Sequence, residues 1–462
     1  MRGVTQVLVL CTVMVAIQAA MIESNIPLPD ENAWWGPGEA KEVDTSIRSF
    51  KVRFQKKMIK DLRYRLKNHR PFTTPLIDSG FNYGFNSATL EDWASYWSNS
   101  YNFTERESYL NLYPHFKTNI QGLDIHFIRV RPVVPEGVPV FPILMLHGWP
   151  STPLEFYKVI PLLSEYSEER DFALELIIPS LPGFGFSDAT SKQGLGATEM
   201  SVIFRNLMHR LGFEKFYIHG GDWGAYICYS LASLFPDEVI GYFTNYGISL
   251  SPASWITWFL GSLGEGAQNL VVQKELAGRL YPATTLLKEL MIKTGYLHIQ
   301  ATKPDTIGVG MGDSPIGLLA YILQFVSMAV RNANIDKEDG GLLDHYSRDE
   351  LLDNLMIYWS QNNFNTACRI YAETLNMRNV NNGWFSLNTP VPVSLIQADN
   401  ELLYMSTPML QHIYTNIVQN KAIEGAGHFL ASEVPEVFSK ALLESIDLFR
   451  DWHRKNACKE EL

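Results

Sequence analysis

The sequence predicts an α/β fold in which helices interrupt a largely parallel sheet. Short β-prone runs alternate with helical patterns from about residue 123 to residue 246, and the alternation resumes near residue 391 after a long helical stretch. The run Gly220-Gly221-Asp222-Trp223-Gly224 has the Gly-x-nucleophile-x-Gly pattern of a sharp strand-to-helix turn. Together these observations are typical of an α/β-hydrolase fold with a helical cap.

The predicted elements follow one another in the order that this fold needs. The strand candidates are Leu123–Val130, Phe141–Leu146, Leu174–Ile178, Phe216–His219, Val239–Phe243, Val391–Ala398 and Lys421–Ile423. The helix candidates are Thr198–Leu211, Ala225–Ala232, Ile316–Val330, Glu350–Trp359 and Val434–Trp452. Residues 31–120 hold an amphipathic helix, Met58–Leu66, but no catalytic motif, so we expect a packing extension there. The predicted division is an anchor at 1–23, an extension at 24–122, a core in two parts at 123–246 and 378–462, and a cap at 247–377.

The first residues form an uncharged apolar segment from Gly3 to Ile22. Its length suits a membrane-spanning helix, and the small residues near its end also suit a cleaved signal peptide. The stretch is long for a signal peptide, which favours a retained anchor. Arg2 before it and acidic residues after it indicate a lumenal body. The sequon at Asn102 would be glycosylated only in that orientation.

Composition excludes several classes of protein. The 462 residues carry a formal net charge of −11 and no long basic run, so nucleic acid is not an expected partner. The four cysteines (Cys11, Cys228, Cys368 and Cys458) are scattered without metal-ligand spacing. We therefore expect free thiols, with Cys11 in lipid, and no metal.

Asp222 occupies the nucleophile position of the turn. A serine there would attack a carbonyl group, whereas a carboxylate attacks a saturated carbon that bears a leaving group and forms an alkyl ester. This pattern favours the opening of epoxides or the displacement of halides. An aspartate after a strand is also a common helix N-cap, and the rest of the chain must decide between these interpretations.

Two backbone N–H groups are predicted to form the oxyanion site. In this fold one follows the nucleophile and the other lies in the loop after an earlier strand. Trp223 and Trp149 occupy these positions, and their N–H groups would hold the Asp222 carboxylate and its tetrahedral adduct. His147 in the same loop is too early in the chain to be the base and is interpreted as structural.

The general base and its acid partner are expected near the C-terminus, because the chain order in this fold is nucleophile, acid, histidine. His428 lies in a glycine-rich loop after the last strand, where the base belongs. The acid should follow the strand that ends at Ala398. Asp399 and Glu401 are both available, and spacing does not choose between them.

A cap residue should stabilise the alkoxide that forms when an epoxide opens. Tyrosine, with a pKa of about 10, is matched to this task. Tyr296 and Tyr371 are candidates in the insertion. The chain has 21 tyrosines, so packing is the alternative for either of them.

The chain resembles the microsomal epoxide hydrolases along nearly its whole length, and within them the insect juvenile hormone epoxide hydrolases. The matching stretches are residues 31–37, 113–122, 147–150, 179–188, 220–224 and 296–306. The resemblance implies that Glu401, followed by leucine, is the acid, and that Tyr296 and Tyr371 are the cap tyrosines. It also implies an N-terminal arm around the cap and residence on the endoplasmic reticulum membrane, with a body facing the cytosol rather than the lumen.

The predicted activity is a two-step hydrolysis of lipophilic epoxides by water without a cofactor. Juvenile hormone as the substrate is implied by the resemblance alone. A haloalkane dehalogenase that uses the same aspartate is one alternative, and a hormone-binding protein on an inactive hydrolase scaffold is another. The oligomeric state is not predicted.

Overall fold

The computed structural model describes residues 26–460, so the predicted anchor at 1–23 lies outside the described residues. The strands are β1 (Arg48–Phe50), β2 (His115–Ile120), β3 (Leu123–Val130), β4 (Val140–Leu146), β5 (Ala173–Pro179), β6 (Phe216–Gly220), β7 (Val239–Thr244), β8 (Thr389–Ala398) and β9 (Tyr414–Ile423). They form one sheet in the order β1-β2-β3-β5-β4-β6-β7-β8-β9. Pairing is antiparallel from β1 to β5 and parallel from β5 to β9.

The helices lie in four regions of the chain. The extension contains α1 (Lys56–Lys67), α2 (Leu90–Ser95) and α3 (Phe103–Leu110), and the first part of the core contains α4 (Ile160–Ser164), α5 (Ala197–Arg210) and α6 (Asp222–Leu234). Between β7 and β8 lie α7 (Pro252–Gly261), α8 (Glu265–Val271), α9 (Ala283–Lys293), α10 (Gly295–Thr302), α11 (Pro304–Asp313), α12 (Pro315–Val330), α13 (Arg348–Gln361), α14 (Phe364–Thr374) and α15 (Met377–Asn381). The second part of the core contains α16 (Thr407–Leu410), α17 (Leu430–Glu433) and α18 (Pro435–Glu460).

The predicted strands and helices are all present, whereas two strands were not predicted. Strands β1 and β2 extend the sheet on its antiparallel side, with Phe116 of β2 paired to Phe127 of β3. The sequence of β2 is mixed, and its residues alternate irregularly between buried and half-buried. Such a strand lacks the continuous apolar run that marks a buried parallel strand. Strand β9 begins at Tyr414, earlier than the predicted start at Lys421. Its first residues are largely polar, and this is why the apolar pattern did not reveal them.

The extension packs against the helices inserted between β7 and β8. Arg106 of α3 forms a buried ion pair with Asp353 of α13, and the Tyr101 hydroxyl donates to the same carboxylate over 2.8 Å. The Trp97 indole N–H lies 3.3 Å from the sulfur of Met356. The arm before β1 is also attached, since the Trp384 indole N–H donates to the carbonyl of Pro27 over 2.8 Å.

No single helix within residues 26–460 is both long enough and apolar enough to cross a membrane. Helices α11 and α12 meet this test only as a pair, with a bend of 120° between them. Cys228 and Cys368 are buried free thiols, as expected. Cys11 and the Cys458 side chain lie outside what the structure describes.

Candidate active site

Asp222 lies at the turn between β6 and α6 with a φ of +49°, in the left-handed region. Neighbouring glycines make this turn possible. A Cβ on Gly220 would lie 2.2 Å from the carbonyl oxygen of Gly224, and one on Gly224 would lie 2.2 Å from that of Leu146. The backbone strain expected at a nucleophile turn is therefore observed at Asp222. As an N-cap, Asp222 would lie outside the helix with extended dihedrals, and it does not.

The Asp222 carboxylate faces His428, which in turn faces Glu401. Asp222 Oδ2 lies 3.5 Å from His428 Nε2, and Glu401 Oε1 lies 2.7 Å from His428 Nδ1. The His428 and Glu401 side chains are buried, with 3% and 2% of their surfaces exposed. Three side chains that are far apart in sequence thus contact one another in the order Asp222, His428, Glu401.

The alternative acid, Asp399, points elsewhere. Its carboxylate accepts the N–H groups of Gly425 and Ala426 over 3.0 and 3.2 Å, in the loop before His428. Glu401 is thus the carboxylate that contacts the imidazole, and Asp399 contacts only backbone of the same loop and its neighbour Asn400.

Two carboxylates act on the charge of His428. Burial disfavours the imidazolium, but the negative charges of Glu401 and Asp222 outweigh it and hold the pKa of His428 well above its ordinary value. The resting site therefore favours a protonated His428.

The loop after β4 supplies one of the two predicted oxyanion donors. The Trp149 N–H donates to Asp222 Oδ1 over 2.7 Å. A Cβ on Gly148 would lie 2.2 Å from the same oxygen, so only glycine allows this approach. Trp223 follows Asp222 in the first turn of α6, where N–H groups have no intrahelical partner.

Both predicted tyrosines reach this site from the inserted helices, Tyr296 from α10 and Tyr371 from α14. Their ring centroids are 6.2 Å apart, and the Tyr371 ring lies 4.8 Å from that of Trp223. Burial, together with the nearby Asp222 charge, raises both tyrosine pKa values well above the ordinary value. Both phenols are therefore neutral donors.

The sequence did not predict the contacts of the Trp149 ring. It stacks on Tyr296 at 5.3 Å and meets Tyr371 edge-on at 6.0 Å, and Phe325 of α12 lies 5.2 Å away. The sequence singled out only the N–H group of this residue. No local signal marks the ring, because its partners come from helices more than a hundred residues later.

His147 is structural, as interpreted. It is fully buried, accepts the Leu181 N–H at Nε2 over 3.2 Å, and pairs through Nδ1 with the Gly148 carbonyl. Burial lowers the pKa of His147 to about 4, so it is a neutral histidine. Among residues 26–460, no group of three or more histidine, cysteine or acidic side chains is arranged to hold a metal ion.

Comparison with known proteins gives consistent results. Residues 47–156 match the family model "Epoxide hydrolase N terminus", and residues 142–263 match the model of the α/β hydrolase fold. The juvenile hormone epoxide hydrolase of Bombyx mori is 48% identical over 93% of each chain. Epoxide hydrolase 1 of Sus scrofa is 41% identical over 90% of this chain and 92% of its own. The crystal structure of the Bombyx mori enzyme superposes with a TM-score of 0.90 over 92% of this chain and 100% of its own.

Proposed function

Since the chain belongs to the epoxide hydrolase family, we propose that it converts lipophilic epoxides to vicinal diols through a covalent ester on Asp222. The observation that carries this proposal is the set of contacts that joins Asp222, His428 and Glu401, together with two neutral tyrosines that contact Trp149 and Trp223. A carboxylate nucleophile, a base for a second step and acids for an alkoxide are the groups that this reaction needs.

In the first step an Asp222 oxygen attacks one ring carbon and a C–O bond of the epoxide breaks. The electron pair of that bond goes to the ring oxygen, which Tyr296 and Tyr371 stabilise as donors. Their raised pKa values keep them protonated until the alkoxide forms, and an alkoxide is basic enough to take a proton from a phenol. No base is needed in this step.

Before the second step the His428 imidazolium gives up its proton, which restores the tyrosine that protonated the alkoxide. Neutral His428 then removes a proton from water, which attacks the ester carbonyl of Asp222, and the N–H groups of Trp149 and Trp223 stabilise the resulting oxyanion. Collapse of this adduct breaks the ester C–O bond, the leaving oxygen of the diol takes the proton from His428, and the Asp222 carboxyl group returns a proton to His428. Alkylation has by then removed the negative charge of Asp222, one of the two charges that raise the pKa of His428. The first step therefore lowers the pKa of His428 and converts it into an effective base for the second.

We propose juvenile hormone, an epoxide of a terpenoid ester, as the natural substrate, since relatives named for it are 48% and 41% identical over most of this chain. We further propose residues 1–23 as a single-pass anchor in the endoplasmic reticulum membrane, from which a lipophilic substrate would partition. We also propose the predicted boundaries of the domains: an extension at 24–122, a core at 123–246 and 378–462, and a cap at 247–377. Turnover of juvenile hormone III and styrene oxide tests the substrate, and carbonate extraction of membranes tests the anchor.

The mechanism is tested by separating its two steps. A His428→Gln protein should react once with an epoxide, stall, and gain the mass of the substrate on the peptide that carries Asp222. An Asp222→Ala protein should gain no mass. Intact-protein mass spectrometry reads both results. A folded His428→Gln protein that loses turnover without gaining mass would mean that water attacks the epoxide directly.

A haloalkane dehalogenase is the second candidate, because it would use the same carboxylate nucleophile. A halide leaves without a proton, so the two neutral phenols favour the epoxide reaction. Release of halide from a chloroalkane or bromoalkane at a rate that matches epoxide turnover would reverse this preference. Absence of both activities in the folded protein would support a binding role.

A further inference from the structure

Backbone contacts determine the position of the loop that carries His428. The His428 N–H donates to the carbonyl of Ala329 at the end of α12 over 2.9 Å, and its own carbonyl accepts from the Asn245 side chain over 3.2 Å. Gly427 lies so close to α12 that a Cβ there would be 2.4 Å from the carbonyl oxygen of Val330. The loop is therefore held against both the inserted helices and the end of β7.

The Glu433 carboxylate binds this loop on both sides of His428. The Gly427 N–H donates to Oε2 over 2.8 Å, and the Phe429 N–H donates to Oε1 over 2.9 Å. Burial raises the pKa of Glu433 to about 7, and the Gly427 and Phe429 N–H groups oppose that rise by favouring the ionised form. Hydrogen bonds to the ionised acceptor are roughly twice as strong as those to the neutral one. Two such bonds to the flanking amides fix both peptide planes next to His428. Neither bond involves the imidazole, so these two bonds act on the ring through the backbone, and the Glu433 carboxylate also lies close enough to interact with the His428 charge.

We propose that Glu433 is a positioning residue that keeps the His428 imidazole aligned between Glu401 and the ester on Asp222 during the hydrolytic step. This inference rests on the covalent mechanism proposed above. The imidazole must satisfy two partners at once, 2.7 Å from Glu401 and 3.5 Å from Asp222. A displacement of about 1 Å disrupts such an arrangement and can slow a reaction about 100-fold.

A purely structural role would have different consequences. Glu433 ends the short helix α17, and it could simply stabilise the entry into that helix. Its loss would then lower the folded fraction and affect both chemical steps equally. Loss of a positioning residue should instead slow ester hydrolysis and spare alkylation, since alkylation requires no base.

The decisive variant is Glu433→Gln, which keeps the size of the side chain but replaces one acceptor oxygen with an NH₂ donor. We expect ester hydrolysis to slow about 10- to 100-fold, alkylation to remain within about threefold of wild type, and the ester to accumulate. Rapid-quench mass spectrometry of single turnovers with styrene oxide measures both steps. Glu436→Gln is the matched control, because Glu436 is exposed at the start of the next helix.

Glu433→Asp keeps the charge but shortens the side chain, so hydrolysis should fall between the wild-type and glutamine rates. If Glu433→Gln does not fold, Glu433→Asp is measured in its place. A wild-type rate of ester hydrolysis in the measured variant, or equal slowing of both steps in a folded protein, would overturn the proposal. If His428→Gln also forms no ester, the covalent mechanism itself has failed, which is a separate and recognisable result.

Discussion

At the scale of single residues, the state of His428 depends on whether Asp222 is charged. The imidazole lies between two carboxylates, so its pKa reports on both of them. In the proposed ester Asp222 carries no charge, so we expect the pKa of His428 to be lower in that intermediate than in the resting enzyme. Ester hydrolysis needs neutral His428, so its rate should rise with pH through that lower pKa.

The pKa of His428 can be measured both in the intermediate and in the resting enzyme. Single-turnover decay of the ester over a pH series gives the pKa in the intermediate, and NMR titration of His428 in the free enzyme gives the resting value. A rate of ester decay that rises only near the resting pKa would show that alkylation does not change the pKa of His428. Glu401→Gln should lower both values, because it removes the carboxylate with the largest raising effect.

The acid partner of His428 is tested by comparing two neighbouring carboxylates. Glu401→Gln should slow ester hydrolysis by something like 100- to 10,000-fold, because the imidazolium that forms loses its charge partner. Asp399→Asn is the comparison and should have a much smaller effect, since Asp399 binds backbone N–H groups of the loop and its neighbour Asn400 rather than the imidazole. Stopped-flow decay of the ester measures both. Our assignment is wrong if the asparagine variant is crippled and the glutamine variant is not.

The two tyrosines should act in the first step only. Tyr296→Phe and Tyr371→Phe should each slow alkylation about 10- to 1000-fold, since one donor remains. The double variant should nearly abolish alkylation. Pre-steady-state quenching of Trp fluorescence follows this step, and Tyr321→Phe serves as a control for loss of a hydroxyl in α12. Normal alkylation in the double variant would refute the role and favour the dehalogenase.

At the scale of elements, the buried pair of Arg106 and Asp353 fastens α3 to α13. Only 1% of the Asp353 side chain is exposed, and burial raises its pKa to about 6 even beside Arg106. Arg106→Leu would leave this carboxyl without its charge partner. We expect a loss of about 3–5 kcal/mol in the free energy of unfolding at neutral pH.

The sign of the pH dependence follows from the raised pKa of Asp353. The folded protein takes up a proton on Asp353 at higher pH than the unfolded chain does, so lower pH favours the folded state at this group. Loss of Arg106 raises the pKa of Asp353 further, so the penalty of Arg106→Leu should shrink as pH falls towards 6 and stay constant below it. Urea unfolding at several pH values measures it. Arg454 belongs to an exposed ion pair, so Arg454→Leu should change the free energy of unfolding by less than about 1 kcal/mol. A loss as large as that of Arg106→Leu in this control would contradict the prediction.

At the scale of the whole molecule, the N-terminal arm connects distant parts of the chain. Pro27 binds Trp384, and the buried Trp35 donates its backbone N–H to the carbonyl of Gln121 over 2.8 Å. Removing residues 2–37 should lower the free energy of unfolding by about 3–5 kcal/mol relative to removing residues 2–25, through loss of the tryptophan. Thermal unfolding in detergent compares the two proteins, and equal melting temperatures would show that the arm adds no stability.

The sequence by itself predicted Asp222 as nucleophile and His428 as base, and it determined the α/β alternation. These are local features, since glycines around Asp222 permit one strained turn and apolar runs mark parallel strands wherever they pair. It left Asp399 and Glu401 equivalent, and only the resemblance chose Glu401. In the structure, Glu401 alone reaches the imidazole.

Other features depended on contacts that form only in the folded chain. The strands β1 and β2 are defined by their partners rather than by their own apolar pattern. The Trp149 ring and the Glu433 carboxylate matter because of groups that folding brings to them. A sequence pattern reports backbone preference and burial within a few residues, whereas a distance between side chains far apart in the chain is decided only when the whole sheet and its inserted helices pack together.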